Sequence, residues 1–278
     1  MPKSARSLGL FSPSLARRPA PFRIALFVAL LLLLWLPVYG LILWQIADSN
    51  TASILAIAAV FAEFLALLQV WSRTLYRARL RDRYGLAWTR PNRREFALGF
   101  GVAALSLMLL FGLQGLLGWV SWRGFPPRLG AIALEGLLVA VGVALGEELV
   151  FRGWLLGELE DDYSHRAALW GSSLGFAALH FIKPVSEMVR TVPQFPGLVL
   201  LGLVLVWARR SARGRLGLSI GLHAGLVWGY YLVAVGEWIT YRDEAPLWLS
   251  GIDQNPLAGG LGLLCLSGLG LWVRLRRP

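Results

Sequence analysis

The chain has 278 residues, of which 56% are hydrophobic and 15% are charged, and its mean hydropathy is +0.60. A soluble globular domain averages roughly 25% charged residues, so this composition excludes an ordinary soluble protein and indicates a membrane protein. The single cysteine excludes a disulfide framework and a cysteine metal cluster. The formal net charge is +11, and the positions of the basic residues decide what that charge means.

Long apolar runs with few charges predict eight membrane-spanning helices. We therefore expect an all-α polytopic membrane protein whose helices form one bundle around an intramembrane polar cavity. The fifth and sixth runs are the shortest, and we expect the segment between them, 183–196, to be a partly re-entrant or mobile element through which a substrate enters. The eight runs lie at about 24–46, 52–72, 96–121, 129–157, 167–182, 197–208, 216–236 and 257–273.

The same pattern divides the chain into four parts. The first is a flexible basic tail, and the second holds the N-terminal helices with a basic loop at 73–95. The third is a core that carries the candidate site, and the fourth is the last loop with the C-terminal helix. The predicted boundaries of these parts are 1–21, 22–128, 129–236 and 237–278.

The basic residues are concentrated on one face of the predicted bundle. If the N-terminus is cytoplasmic, the cytoplasmic segments hold 21 of the 27 Lys and Arg residues. The positive-inside rule therefore predicts a multi-pass protein with both termini in the cytoplasm. We expect the basic stretch Arg73–Arg94 to lie beside anionic lipid and not to bind nucleic acid. The five basic residues on the other face are Arg123, Arg128, Lys183, Arg190 and Arg242.

Ionisable residues inside predicted spans are functional hypotheses, because a charge at bilayer depth is costly. Glu148 and Arg152 are four residues apart on one helix and can neutralise each other. Glu147 is turned about 100° away from that pair, so it has no partner on its own helix. It can bind a metal or take a proton from water, or the three residues can form a structural ion-pair network. The other such residues are Glu63, Glu135, His180 and His223.

His180 and His223 are two of only three histidines in the chain. A histidine in an apolar span is commonly an interhelical hydrogen-bonding residue, but an unpaired glutamate elsewhere in the bundle favours a shared site. His180 shares a helix face with Phe176, and His223 adjoins a ridge of small residues that permits close helix packing. The H-E-x-x-H spacing is absent, no serine lies in a G-x-S-x-G turn, and no aspartate lies well inside a span. The ridge consists of Gly221, Gly225 and Gly229.

These residues resemble the motifs of the CPBP family, the CAAX-processing and bacteriocin-processing intramembrane proteases, also called type II CAAX prenyl endopeptidase-like proteins. The family pattern is E-E-x-x-x-R, then F-x-x-x-H, then H-x-x-x-N, each on a different membrane helix. The matching segments are Glu147–Arg152, Phe176–His180 and the segment that begins at His223. The last position departs from the pattern, because Val227 stands where the family has a polar residue. An oxyanion donor at that position would then have to come from His223, a backbone N–H or Trp228.

The resemblance implies an endopeptidase that hydrolyses a peptide bond within or at the membrane. It implies that Glu147 and His180 activate a water, that His223 stabilises the oxyanion, and that Glu148 and Arg152 hold the helix in register, with Phe176 in support. The resemblance leaves two versions of this mechanism open. In one, the chemistry depends on glutamate alone. In the other, Glu147, His180 and His223 bind one divalent metal ion such as zinc.

Two functions of other classes compete with the protease. A non-catalytic scaffold or immunity-type protein could bind a peptide or a partner helix in the same cavity, and Val227 favours that hypothesis. A secondary transporter could use Glu63 and Glu135 as proton relays, although the sequence contains no inverted repeat. The expected partners of the protease are the membrane and a peptide or membrane-protein substrate.

Overall fold

The computed structural model describes residues 13–124, 127–242 and 244–276. The first twelve residues of the predicted basic tail lie outside this part of the chain. The described residues form two compact units, which divide between Arg83 and Tyr84.

The first unit is a helical hairpin. A short 3₁₀ helix, Pro13–Arg17, precedes the long helices α1 (Ala20–Gln45) and α2 (Ser49–Leu75), and α3 (Leu80–Arg83) ends the unit. The two long helices pack through aromatic contacts, with the Phe27 ring centroid 5.7 Å from that of Phe64 and 5.3 Å from that of Trp71. Asp48 caps α2 by accepting a hydrogen bond from the Thr51 N–H, which lowers the pKa of the Asp48 carboxyl.

The second unit contains the remaining helices and a small antiparallel ribbon. The ribbon pairs β1 (Val120–Trp122) with β2 (Ile239–Tyr241), and Ser121 lies opposite Thr240. It joins the ends of two parallel helices described below. The helices are α4 (Arg90–Leu116), α5 (Leu129–Glu148), α6 (Leu156–Asp162), α7 (His165–Leu179), α8 (Val185–Thr191), α9 (Phe195–Ser211), α10 (Gly217–Ala234), α11 (Leu247–Ser250) and α12 (Gly260–Leu275).

Two of these helices continue through irregular helical turns. A π-helical segment, Leu149–Leu155, joins α5 to α6, so that one helical stretch runs over Leu129–Asp162. A 3₁₀ turn, Val192–Gln194, joins α8 to α9 in the same way. Further 3₁₀ turns at Ile252–Gln254 and Pro256–Ala258 precede α12.

Six helical stretches in the described residues are long and apolar enough to cross a membrane. They include the two continuous stretches, Leu129–Asp162 and Val185–Ser211. The protein is therefore an all-α, multi-pass integral membrane protein, apart from the short ribbon. The helix at the fifth predicted run, α7, has only 15 residues, and α12 has 16, which is short of the roughly 20 that span a bilayer.

Helices α4 and α10 lie in direct backbone contact, as the glycine ridge predicted. A Cβ atom at Gly221 would overlap the carbonyl of Phe96, and one at Gly225 would overlap the carbonyl of Phe100. Because these positions advance together by four residues, the two helices run parallel. Asn92 fixes their common end: its Oδ1 accepts a hydrogen bond from the Gly217 N–H at 2.5 Å. The prediction of close packing at this ridge is confirmed.

Candidate active site

The polar residues of the three motifs meet where α5, α7 and α10 come together. Glu148 is fully buried, and its Oε1 accepts hydrogen bonds from Arg152 Nη1 at 2.8 Å and from His223 Nδ1 at 2.9 Å. The predicted pair of Glu148 and Arg152 is therefore present, and His223 joins it from α10. This network holds the His223 ring in one orientation.

Arg152 is also fully buried, and its contacts extend beyond the ion pair. Its Nη2 reaches the carbonyl of Gly202 on α9 at 3.5 Å, and its guanidinium lies over the Phe176 ring, 4.3 Å from the centroid. The Phe176 ring in turn lies 4.5 Å from the ring of His180, centroid to centroid. Phe176 thus packs against both the arginine and one histidine, which gives the F-x-x-x-H spacing a structural reason.

The π-helical segment carries Arg152 within this network. A π turn widens the helix and is frequent at functional sites, because it leaves backbone groups for partners outside the helix. Here the Ser172 hydroxyl of α7 donates a hydrogen bond to the Phe151 carbonyl at 2.9 Å, and both groups are buried. The hydrogen-bonding role of Ser172 is not evident from sequence, because no local pattern indicates a π turn.

The hydrogen bonds at Nδ1 fix the tautomers of the two histidines. His180 Nδ1 lies 2.7 Å from the Phe176 carbonyl, which can only accept, so this nitrogen carries the proton. His223 Nδ1 donates to Glu148 for the same reason. Each ring therefore directs its Nε2 away from its anchor, and both Nε2 atoms lie 3.8 Å from Glu147 Oε2.

Glu147 has no hydrogen-bond partner for its buried Oε2 among the described residues. Its side chain is 31% exposed, whereas that of Glu148 is 0% exposed, so the two neighbouring carboxylates have different surroundings. A separation of 3.8 Å is too long for a direct hydrogen bond, so neither histidine satisfies this oxygen. The carboxylate predicted to lack a partner is the one that faces open space.

That space is a cavity of about 380 Å³. Its walls are mostly apolar, and Glu147, His180 and His223 are among its lining residues. Val227 lines it too, at the position of the family asparagine. Trp228 does not replace that asparagine, because its Nε1 donates to the Ala133 carbonyl on α5 at 2.9 Å. Further polar residues line the cavity and were not predicted as catalytic residues from sequence: Lys183, Gln194, Tyr230 and Asn255.

The site does not have the arrangement of a metal centre. Within the described residues, no group of three or more His, Cys, Asp or Glu side chains could hold a metal ion. Ligands bound to a tetrahedral zinc ion lie about 3.4 Å apart, closer than the 3.8 Å between Glu147 Oε2 and each Nε2. The donor types suit zinc, but their spacing does not fit it.

Comparison with known families identifies the region that contains this site. Residues 129–229 match the family model of Type II CAAX prenyl endopeptidase Rce1-like proteins. The predicted family resemblance is confirmed. All three motifs and Val227 fall inside the matched region, and no curated protein and no solved structure matches the chain. The match implies a membrane-embedded protease that acts on a peptide substrate.

The other ionisable residues of the predicted spans lie outside the site. Glu135 accepts a hydrogen bond from the Tyr231 hydroxyl at 2.7 Å on the exposed side of α5 and α10. Glu63 belongs to α2, in the first unit. Neither residue lines the cavity that holds Glu147.

Proposed function

We propose that the protein is a glutamate-dependent intramembrane endopeptidase, with Glu147, His180 and His223 as its catalytic residues. The observation that carries the proposal is that Glu147 Oε2 has no hydrogen-bond partner among the described residues and lies 3.8 Å from two histidine Nε2 atoms beside a cavity. We further propose that the short helices α7 and α12 bring the number of membrane-spanning helices to eight, with both termini cytoplasmic. The cavity then lies within the membrane.

The chemistry begins with one water held between Glu147 and His180. Glu147 takes a proton from this water as its oxygen attacks the carbonyl carbon of the peptide bond. The proton then passes to the amide nitrogen, the C–N bond breaks, and the products are a new carboxylate and a new amine. His180 orients the water because its Nδ1 is anchored on the Phe176 carbonyl.

We assign the oxyanion to His223. In its protonated form, Nε2–H can donate to the negative oxygen of the tetrahedral intermediate, while Nδ1–H stays bonded to Glu148. Glu148 Oε1 holds the ring at Nδ1 and pairs with Arg152, so Nε2 stays directed toward Glu147. His223 thereby supplies the hydrogen-bond donor that Val227 lacks. Trp228 does not supply it, because its Nε1 donates to the Ala133 carbonyl.

The scaffold hypothesis draws its support from Val227, which makes the cavity wall apolar at the family's asparagine position. An apolar cavity can bind a peptide without cleaving it. The two functions differ in their dependence on Glu147: cleavage requires its carboxylate, whereas apolar binding does not.

The experiment compares membrane-protein termini by mass spectrometry in cells that express wild type, Glu147→Gln or Glu135→Gln at matched levels. Glu135 is the control, because it is a glutamate on the same helix, outside the cavity. We expect new peptide ends with wild type and Glu135→Gln, and their loss with Glu147→Gln. Equal sets of ends in all three samples, with folded protein in each, would favour the scaffold. A chelator tests whether a metal ion takes part. We expect cleavage to continue in its presence, and loss of cleavage would show that a metal ion is required.

A further inference from the structure

The cavity at Glu147 is open toward one face of the second unit. Glu147, Phe176 and His223 lie at its inner end. Its walls come from α4, α5 and α10, from the first turns of α9 and α12, and from the segments that precede α8, α9 and α12. These segments contribute Lys183, Gln194 and Asn255, and all of them join helices at the same face.

A second cavity on that face adjoins the first. It has a volume of about 350 Å³ and is lined by residues of the β ribbon and its surroundings, including Arg123, Glu237 and Thr240. Tyr230 lines both cavities, so the two are adjacent at this residue. The face that carries the mouth of the candidate site thus holds a polar vestibule as well.

The opposite face is closed by packed side chains. Between the site and the start of α10 lies a buried apolar cluster that includes Ala208, Ala212, Leu218 and Leu222. A cavity of about 520 Å³ does exist on this face, lined by residues such as Glu160 and Arg213. Among the described residues, none lines both this cavity and the one at Glu147.

The charge distribution identifies the two faces. Within the second unit, the closed face carries the segments 84–95, 158–166 and 209–215, which together hold eight Lys and Arg residues. The open face carries only five. Basic residues in short loops remain on the cytoplasmic side, so the closed face is cytoplasmic and the open face is not.

We infer that the site receives its substrate from the non-cytoplasmic side. The inference rests on the proposed proteolytic function and adds a substrate class to it. The substrate is a membrane-anchored peptide or protein whose cleaved segment leaves the bilayer on the non-cytoplasmic side. The apolar walls of the cavity select apolar residues around the scissile bond. The segment 183–196, expected from sequence to admit substrate, lines the mouth at Lys183 and Gln194.

The test uses cysteine accessibility in intact cells. The native Cys265 is first changed to Ser, and single cysteines are then placed at Lys183, at the mouth, or at Arg213, on the closed face. Both replace a basic side chain, and Arg213 is the more exposed of the two. A membrane-impermeant maleimide is applied before and after permeabilisation. We expect Lys183→Cys to react in intact cells and Arg213→Cys to react only after permeabilisation.

The reverse labelling pattern, or reaction of Lys183→Cys only after permeabilisation, would overturn the inference. If Lys183→Cys reacts in neither condition, Gln194→Cys reports on the same mouth and decides the outcome by the same criterion. Labelling does not require catalysis, so adding Glu147→Gln to each variant should leave the pattern unchanged. An inactive protein with the expected labelling would refute the protease but not the orientation of the cavity.

Discussion

Two adjacent buried serines on α7 give a matched test of the π-helical segment. Ser172 donates a buried hydrogen bond to the Phe151 carbonyl, whereas Ser173 Oγ is buried without a partner among the described residues. Alanine at either position keeps the Cβ atom, so packing changes little. The two substitutions therefore differ mainly in the hydrogen bond that each removes.

The expected effects on stability have opposite signs. Ser172→Ala removes a hydrogen bond worth about 1 kcal/mol, and the cost stays moderate because the Phe151 carbonyl keeps the Leu156 N–H as a donor. Ser173→Ala removes a hydroxyl whose unsatisfied burial costs roughly 1–3 kcal/mol, so this variant should be more stable than wild type.

Thermal unfolding of the purified variants in one detergent measures the difference. We expect the unfolding midpoint to fall for Ser172→Ala and to rise for Ser173→Ala. Ser172→Ala should also lower proteolysis, because Arg152 belongs to the segment that Ser172 holds, and Ser172→Thr should restore it. A fall of equal size for both alanine variants would refute the importance of the bond to the π segment.

Three further predictions concern the site and the helix contact beneath it. Val227→Asn should raise kcat by adding a donor to the cavity, and an unchanged rate would place the oxyanion elsewhere. Arg152→Met should destabilise the protein by about 3–5 kcal/mol in unfolding experiments, because it leaves the Glu148 carboxylate buried without its arginine. Gly221→Ala should destabilise by about 1–3 kcal/mol, because its Cβ meets the Phe96 carbonyl. The matched control, Gly101→Ala, has open space around the new Cβ and should not destabilise.

The polar site could be predicted in large part because ionisable residues are rare inside membrane-spanning helices. Glu148, Arg152 and His223 stand out in apolar helices, and the i, i+4 spacing predicts the ion pair directly. The same reasoning identifies Glu147 as the carboxylate without a partner. In the structure it is the one that faces the cavity.

Other parts of the site depend on contacts between distant segments, which periodicity does not encode. The carbonyl of Gly202 accepts a hydrogen bond from Arg152, and Asn255 lines the cavity from the segment before α12. Neither Gly202 nor Asn255 belongs to a motif. The ribbon of Val120–Trp122 and Ile239–Tyr241 was likewise not predicted, because strands of three residues carry no recognisable alternation.

The number of spans illustrates a different limit. Hydropathy predicts the positions of the helices well, but α7 has 15 residues, and the sixth predicted run, 197–208, is part of the longer stretch Val185–Ser211. A helix that packs among others can be shorter than the bilayer, and composition alone does not say how far such a helix reaches.

The most direct test of the account is hydrolysis of a substrate, identified from the comparison of termini, by purified protein in ¹⁸O-labelled water. Wild type should place one ¹⁸O atom in the new carboxylate, because the attacking oxygen comes from water. Glu147→Gln should cleave about 100- to 10,000-fold more slowly, as expected for loss of a general base, with its fold intact. Cleavage by Glu147→Gln at the wild-type rate would contradict the central claim.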